Sequence, residues 1–185
     1  MAQRSYNPIM AVVLLISLTW SVGITALDAQ DDQKSEMYET INDRQQTSWE
    51  TAKQIWNWAE PGYQETKSSA LLIKTLRSQG FDIESGVAGM PTAFTATFGK
   101  GKPVIGMLGE YDALPGLSQQ ATPQRAQPTD KNNGYGHGCG HHLLGVASME
   151  GAIAIAQQIK DGKLQGTIRY YGCPAEEGGS AKVFM

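Results

Sequence analysis

Gly134-Tyr-Gly-His-Gly-Cys-Gly-His-His-Leu-Leu-Gly145 places one thiol and all three histidines of the chain within residues 137–142, between glycines. Thiolate and imidazole are soft and borderline donors of the kind that hold catalytic transition metals, and carboxylates complete such sets. Two further stretches can supply the carboxylates: Gly109-Glu-Tyr-Asp-Ala-Leu-Pro-Gly116 upstream and Gly172-Cys-Pro-Ala-Glu-Glu-Gly-Gly179 downstream. Immediately after the histidines, Leu143 to Ile159 is apolar or small on nearly every face, which predicts a buried helix. Cys139 and His141 would then stand at its N-terminal end, where the dipole and free amides favour anions and are expected to lower a thiol pKa.

The neighbouring stretches change period from helical to two. Thr92 to Phe98 alternates, Gly99 to Lys102 is a turn, and Val104 to Leu108 is an apolar run suited to a buried strand. A hairpin feeding an inner strand is predicted, with Glu110 and Asp112 at the strand's C-terminal edge, where open α/β sheets place ligands. Thr167 to Tyr171 is the next strand. Glu176 and Glu177 follow it and, on extended backbone, are expected to point opposite ways. Upstream, Ile41, Trp49, Ala52, Ile55, Trp56 and Ala59 recur at helical spacing until Pro61-Gly62, and their aromatic stripe reads as core. Thr66 to Gln79 is a second helix with Ala70, Leu71, Ile73, Thr75 and Leu76 inward and Gly80 as its left-handed C′ residue. Leu117 to Asn133 is a polar loop forming a rim, and Ser180 to Met185 opens a further helix. The order predicts an α/β fold: a mixed, mainly parallel sheet flanked by helices.

The chain has 185 residues, 41% of them hydrophobic, enough for one domain with its own core. Its 15 basic and 18 acidic residues are interspersed and the net charge is −3, so no nucleic-acid footprint is present. Two cysteines are too few for a disulfide framework. Arg4, the apolar Ile9 to Leu18 and small residues reaching Ala26 and Ala29 read as a signal peptide over 1–29, implying export to a periplasm or medium. An uncleaved anchor over 9–27 is the rival, and contact with a membrane is expected only in that case.

In order and spacing, Gly-Glu-Tyr-Asp-Ala-Leu-Pro-Gly, Gly-His-Gly-Cys-Gly-His and Gly-Cys-Pro-Ala-Glu-Glu-Gly-Gly resemble the M20 metallopeptidase and amidohydrolase family, closest to its aminobenzoyl-glutamate hydrolase B-subunit branch. The resemblance implies a zinc-dependent exopeptidase-like catalytic domain using two divalent metal ions, zinc or manganese. Its substrate would be a small N-acyl or N-aroyl amino acid. It also implies Cys139, His141 and Glu177 as metal ligands, with the thiolate between the ions, Glu176 as general base, and Asp112 as the group orienting the metal site. Relatives in the family continue past the position of Met185, supplying two more histidine ligands and a lid and dimerisation domain. Residues 30–185 are therefore expected to be the N-terminal part of such a catalytic domain, without the lid. This chain alone should bind metal weakly and hydrolyse little. A homodimer or hetero-oligomer is expected of the full-length form. His142 stands where relatives carry aspartate or asparagine, as an added ligand or a plain loop residue, and His137 is read as shaping the loop. Two other readings compete: a structural zinc site from Cys139, His141 and Cys173, and a Cys139 nucleophile activated by His141 or His142.

Overall fold

Pro61 and Gly62 end the first helical period where the sequence places them, and the chain turns back on itself there. In the computed structural model, residues 31–124, 126 and 134–185 are described. The leader predicted over 1–29, and residues 125 and 127–133 of the predicted loop, lie outside them. The chain divides into two compact units, Met1–Glu39 and Thr40–Met185; in the first, residues 31–39 are helical. The second holds helices α1 (Gln45–Trp58), α2 (Thr66–Ser78) and α3 (His141–Lys160), and strands β1 (Asp82–Ser85), β2 (Phe94–Lys100), β3 (Val104–Glu110) and β4 (Gly166–Cys173). Among the described residues, no helix is long and apolar enough to cross a membrane.

The strands form one sheet in the order β1-β2-β4-β3. β1 with β2 and β2 with β4 are antiparallel, and β3 with β4 is parallel. The sheet is mixed as expected, but its balance is antiparallel rather than mainly parallel, and β2 and β3 do not form the predicted hairpin. The cause is the β3-α3-β4 crossover: it seats β4 directly beside β3, leaving β2 to pair with β4's other side. β3 is thus an edge strand, with Val104, Ile105 and Leu108 more than half exposed, and not the buried inner strand its composition suggested. The inner positions belong to β2, whose Phe94 and Ala96 are fully buried, and to β4, whose Ile168 and Tyr170 are fully buried.

One face of the sheet carries the core. Phe94 and Ala96 of β2 and Ile168 and Tyr170 of β4 pack with Leu72 and Leu76 of α2, Ile55 of α1, and Val146, Met149 and Ile153 of α3. Each large apolar side chain withdrawn this way contributes about 1.5–3 kcal/mol. Helix α1 reaches this core with Ala52 and Ile55, while Trp49 stays half exposed under the Lys53 ammonium, 5.7 Å from its ring. The aromatic stripe is therefore only partly core. In α2 the buried set is Ser68, Ser69, Leu72 and Leu76, so Ala70 faces outward against expectation. Gly80 does take a left-handed φ of 89°. Helix α3 is buried along most of its length, although Leu143 and Leu144 in its first turn are exposed. Its Glu150 carboxylate is buried and held by the Arg44 guanidinium, with Nη2 at 3.1 Å from Oε1. The residues after Ser180 make only a 3₁₀ turn, Ala181–Val183.

Two contacts fix α3 against the sheet beside the histidines. Tyr170 donates its hydroxyl to the Gly145 carbonyl at 3.1 Å. Gly145 itself lies so close to the Glu110 carbonyl that a Cβ there would overlap it, so the helix meets β3 backbone to backbone only because this residue is glycine.

Candidate metal centre

The close approach at Gly145 brings the start of α3 to the C-terminal ends of β3 and β4, and His141 is the first residue of that helix. Its side chain is 1% exposed. Nδ1 donates to Asp112 Oδ1 at 2.8 Å, which keeps a proton on Nδ1 and turns Nε2 towards three carboxylates. From Nε2, Glu110 Oε2 is 3.0 Å away, Glu176 Oε2 3.7 Å and Glu177 Oε1 3.9 Å. The second Asp112 oxygen accepts the Glu177 amide at 2.9 Å. One buried carboxylate thereby sets the positions of two predicted ligands, His141 and Glu177.

Glu176 and Glu177 occupy a short helical turn, Glu176–Gly179, entered through Ala175 at φ 49°. The expected extended backbone is not there, and the two carboxylates converge on the same imidazole instead of diverging. The turn is held from outside by the segment between α1 and α2. The Ala175 amide donates to Glu65 at 2.8 Å, and Tyr63 donates its hydroxyl to the Gly179 carbonyl at 2.6 Å. Pro61 bridges Ala113, beside Asp112.

Cys139 is exposed, and its sulfur, a His141 nitrogen and a Glu177 oxygen lie within 4.8 Å of one another; Glu110, His141 and Glu176 form a second such group. Among the described residues these are the sets of three or more ligand-type side chains close enough to share an ion. Neither contains Cys173, which is 1% exposed with its thiol directed to the Tyr171 carbonyl, so the structural zinc set of Cys139, His141 and Cys173 is not assembled. His137 is buried against the Ile55 carbonyl at 3.2 Å, and its ring lies 4.9 Å from that of His142. Burial, and then their neighbouring imidazoles, lower both pKa values to about 4.

The electrostatics follow from four carboxylates around one imidazole. Burial opposes ionisation of Asp112, but the His141 and Glu177 hydrogen bonds and the His141 charge prevail and hold its pKa below the ordinary value. For His141, burial likewise opposes the charged form and is outweighed by Asp112, Glu110 and Glu177, so its pKa is raised. The Cys139 thiol is raised by desolvation and then by Glu177, Glu176 and Glu110. This reverses the lowered thiol pKa expected from the helix terminus: nearby full charges outweigh the partial charge of a dipole. It also disfavours a free thiolate nucleophile. Lys182 brings a cation to the site: its ammonium pairs with Glu110 and lies 3.9 Å from Glu176. Sulfur, imidazole and carboxylate donors converging in a surplus of negative charge suit a divalent transition metal.

The sequence puts Glu110 at the ligand edge without assigning it a role, and leaves Lys182 unmarked. The signal for Glu110 is its position two residues before Asp112 on extended chain, which gives the two the same side. Nothing local marks Lys182.

Comparison with known proteins follows the same lines. No family model matches the chain. It is 48% identical over 155 residues to the B-subunit of p-aminobenzoyl-glutamate hydrolase from Escherichia coli (strain K12), covering 81% of this chain and 32% of that protein. It is 33% identical over 129 residues to thermostable carboxypeptidase 1 of Saccharolobus solfataricus, covering 69% of this chain and 31% of that protein. The chain therefore spans about a third of the length of the curated relatives it matches. Among solved structures, a dinuclear metal binding peptidase of the M20 family from Bacillus subtilis shares the fold, with TM-score 0.60 and 23% identity over 82% of this chain and 38% of that one. The chain is thus a homologue of the p-aminobenzoyl-glutamate hydrolase B-subunit over about a third of that protein's length, and it shares its fold with peptidases of the M20 family.

Proposed function

We propose that this chain carries part of the active centre of a metal-dependent amidohydrolase that cleaves the amide bond of an N-acyl or N-aroyl amino acid. The observation that carries the reading is the convergence of Cys139, His141 and Glu177 donor atoms within 4.8 Å, with Asp112 behind the imidazole and Glu176 beside it. The aroyl amino acid class is supported by the 48% identity to a relative named for p-aminobenzoyl-glutamate.

Cys139, His141 and Glu177 would hold the metal. When bound, two divalent ions, zinc or manganese, lower the pKa of the attacking water and polarise the amide carbonyl. Asp112 keeps the His141 proton on Nδ1, so Nε2 stays free as a donor, and it anchors Glu177 through the backbone. Glu176, on the same turn and partly exposed to solvent, accepts a proton from the water and delivers it to the leaving nitrogen as the C–N bond breaks. The products are the free acid and the amino acid.

Three donors shared between two ions undersupply both. The chain alone is therefore expected to bind metal weakly and turn over little, with assembly into a homodimer or hetero-oligomer expected of a form of the relatives' full length. Residues 1–29 would direct export, checked by N-terminal sequencing of the mature chain.

Calorimetric titration of the metal-free chain with Zn²⁺ and Mn²⁺ tests the centre: binding should be measurable and lost in Cys139→Ala, His141→Ala and Glu177→Gln. No binding by the unmodified chain refutes it. Steady metal-dependent release of glutamate from p-aminobenzoyl-glutamate, abolished in Glu176→Ala, would confirm the reaction and overturn the expectation of low activity.

A further inference from the structure

We propose that Glu65 is a positioning residue for the Glu176–Glu177 turn: its carboxylate holds the Ala175 amide and so aims both site glutamates at His141. The proposal rests on the functional reading above and adds a residue from outside the three motifs. Glu65 precedes α2 and is fully buried. A carboxylate at a helix start ordinarily caps that helix, yet Glu65 makes no side-chain cap bond. Glu60 does that work, accepting from the Lys67 amide at 3.0 Å and from the Ser68 amide and hydroxyl at 2.8 Å each. The Glu65 carboxylate is thus free of its own helix. It takes the Ala175 amide on Oε1 at 2.8 Å and the Thr92 hydroxyl on Oε2 at 2.9 Å.

Ala175 is where such a hold matters. It is a non-glycine residue at φ 49° and ψ 44°, a left-handed conformation that an L side chain adopts only under constraint. Gly62 supplies the room: a Cβ added there would stand 2.9 Å from the Ala175 Cβ. Tyr63 holds the far end of the turn through the Gly179 carbonyl. Released at its entrance, Ala175 relaxes towards negative φ, and that rotation carries Glu176 and Glu177 away from Nε2.

The test compares Glu65→Ala, Glu65→Gln and Glu60→Ala in the whole chain, by amide hydrogen exchange in the metal-free protein and by Zn²⁺ and Mn²⁺ titration. In Glu65→Ala the Ala175 and Glu177 amides should exchange at least about tenfold faster, beyond any change in global stability, and metal affinity should fall about tenfold or more, the scale of groups that orient ligands. Glu65→Gln keeps an acceptor oxygen for the Ala175 amide and should recover most of both. Glu60→Ala frays α2 and lowers the melting temperature without selective exposure of the turn. Retained protection at Ala175 in Glu65→Ala, or losses no more selective than those in Glu60→Ala, would overturn the proposal. If the unmodified chain binds neither ion, the metal-centre reading fails, and exchange at Ala175 and Glu177 still decides the role of Glu65.

Discussion

Asp112→Asn separates what the site needs for folding from what it needs for an ion. In the metal-free protein one carboxylate accepts from the His141 ring at 2.8 Å and from the Glu177 amide at 2.9 Å. Asparagine has the same shape but one acceptor oxygen, so one donor faces an NH₂ group. Hydrogen bonds to charged groups contribute about 1.5–3 kcal/mol each, and the variant should lose about that much stability in urea unfolding with chelator present. The imidazole can recover its bond by moving its proton to Nε2, but that blocks the nitrogen facing Glu110, Glu176 and Glu177. Zn²⁺ affinity should therefore fall about 10- to 100-fold, as for other lost ligand-orienting groups. The pH dependence has a definite sign. The lowered Asp112 pKa contributes stability that is present above the ordinary 3.8 and lost as pH falls through the folded value. The raised His141 pKa contributes stability that is complete below 6.5 and lost as pH rises through the folded value. The gap between wild type and variant is thus widest between pH 3.8 and 6.5. A gap under about 0.5 kcal/mol across that window, against the hydrogen-bond scale above, together with unchanged Zn²⁺ affinity, would refute the assignment of Asp112 as the shared anchor.

Three other perturbations follow from the packing and charge. Arg44→Ala strands the buried Glu150 carboxylate and should cost about 3 kcal/mol, with Glu150→Gln in the same background restoring part of the melting temperature; an unchanged melt would contradict the pairing. Gly145→Ala drives a methyl into the Glu110 carbonyl and should destabilise by about 1–3 kcal/mol while weakening Zn²⁺ binding, because α3 must lift with His141 on it. Cys139, exposed but with a raised pKa, should alkylate more slowly than an unperturbed thiol at neutral pH, and more slowly still with Zn²⁺ or Mn²⁺ present; equal rates with and without metal would remove it from the ligand set.

The helices and strands were legible because each rests on a short-range signal: helical spacing stopped by Pro61-Gly62, and alternation at Thr92 to Phe98. Their arrangement was less so. Val104 to Leu108 has the composition of an inner strand, but composition states what a strand would bury and not which neighbour arrives to bury it. That depends on the crossover through α3. The site motifs were readable as a set, and the structure gathers Asp112, Cys139, His141, Glu176 and Glu177 in one place. The direction of Glu176 and Glu177 was not readable, because it hangs on the left-handed Ala175, held by residues about 110 positions earlier. The Cys139 shift was likewise invisible, since it combines desolvation with carboxylates contributed by separate strands and turns.

β3 also has a colloidal consequence. A seven-residue strand that, among the described residues, pairs on one side only and carries three solvent-facing aliphatic side chains is a template onto which another extended chain can zip. Lys100 and Lys102 flank its start, and like charges stacked in register would repel such growth at low ionic strength. Salt screens that repulsion, so it should shorten the time before a concentrated solution turns cloudy.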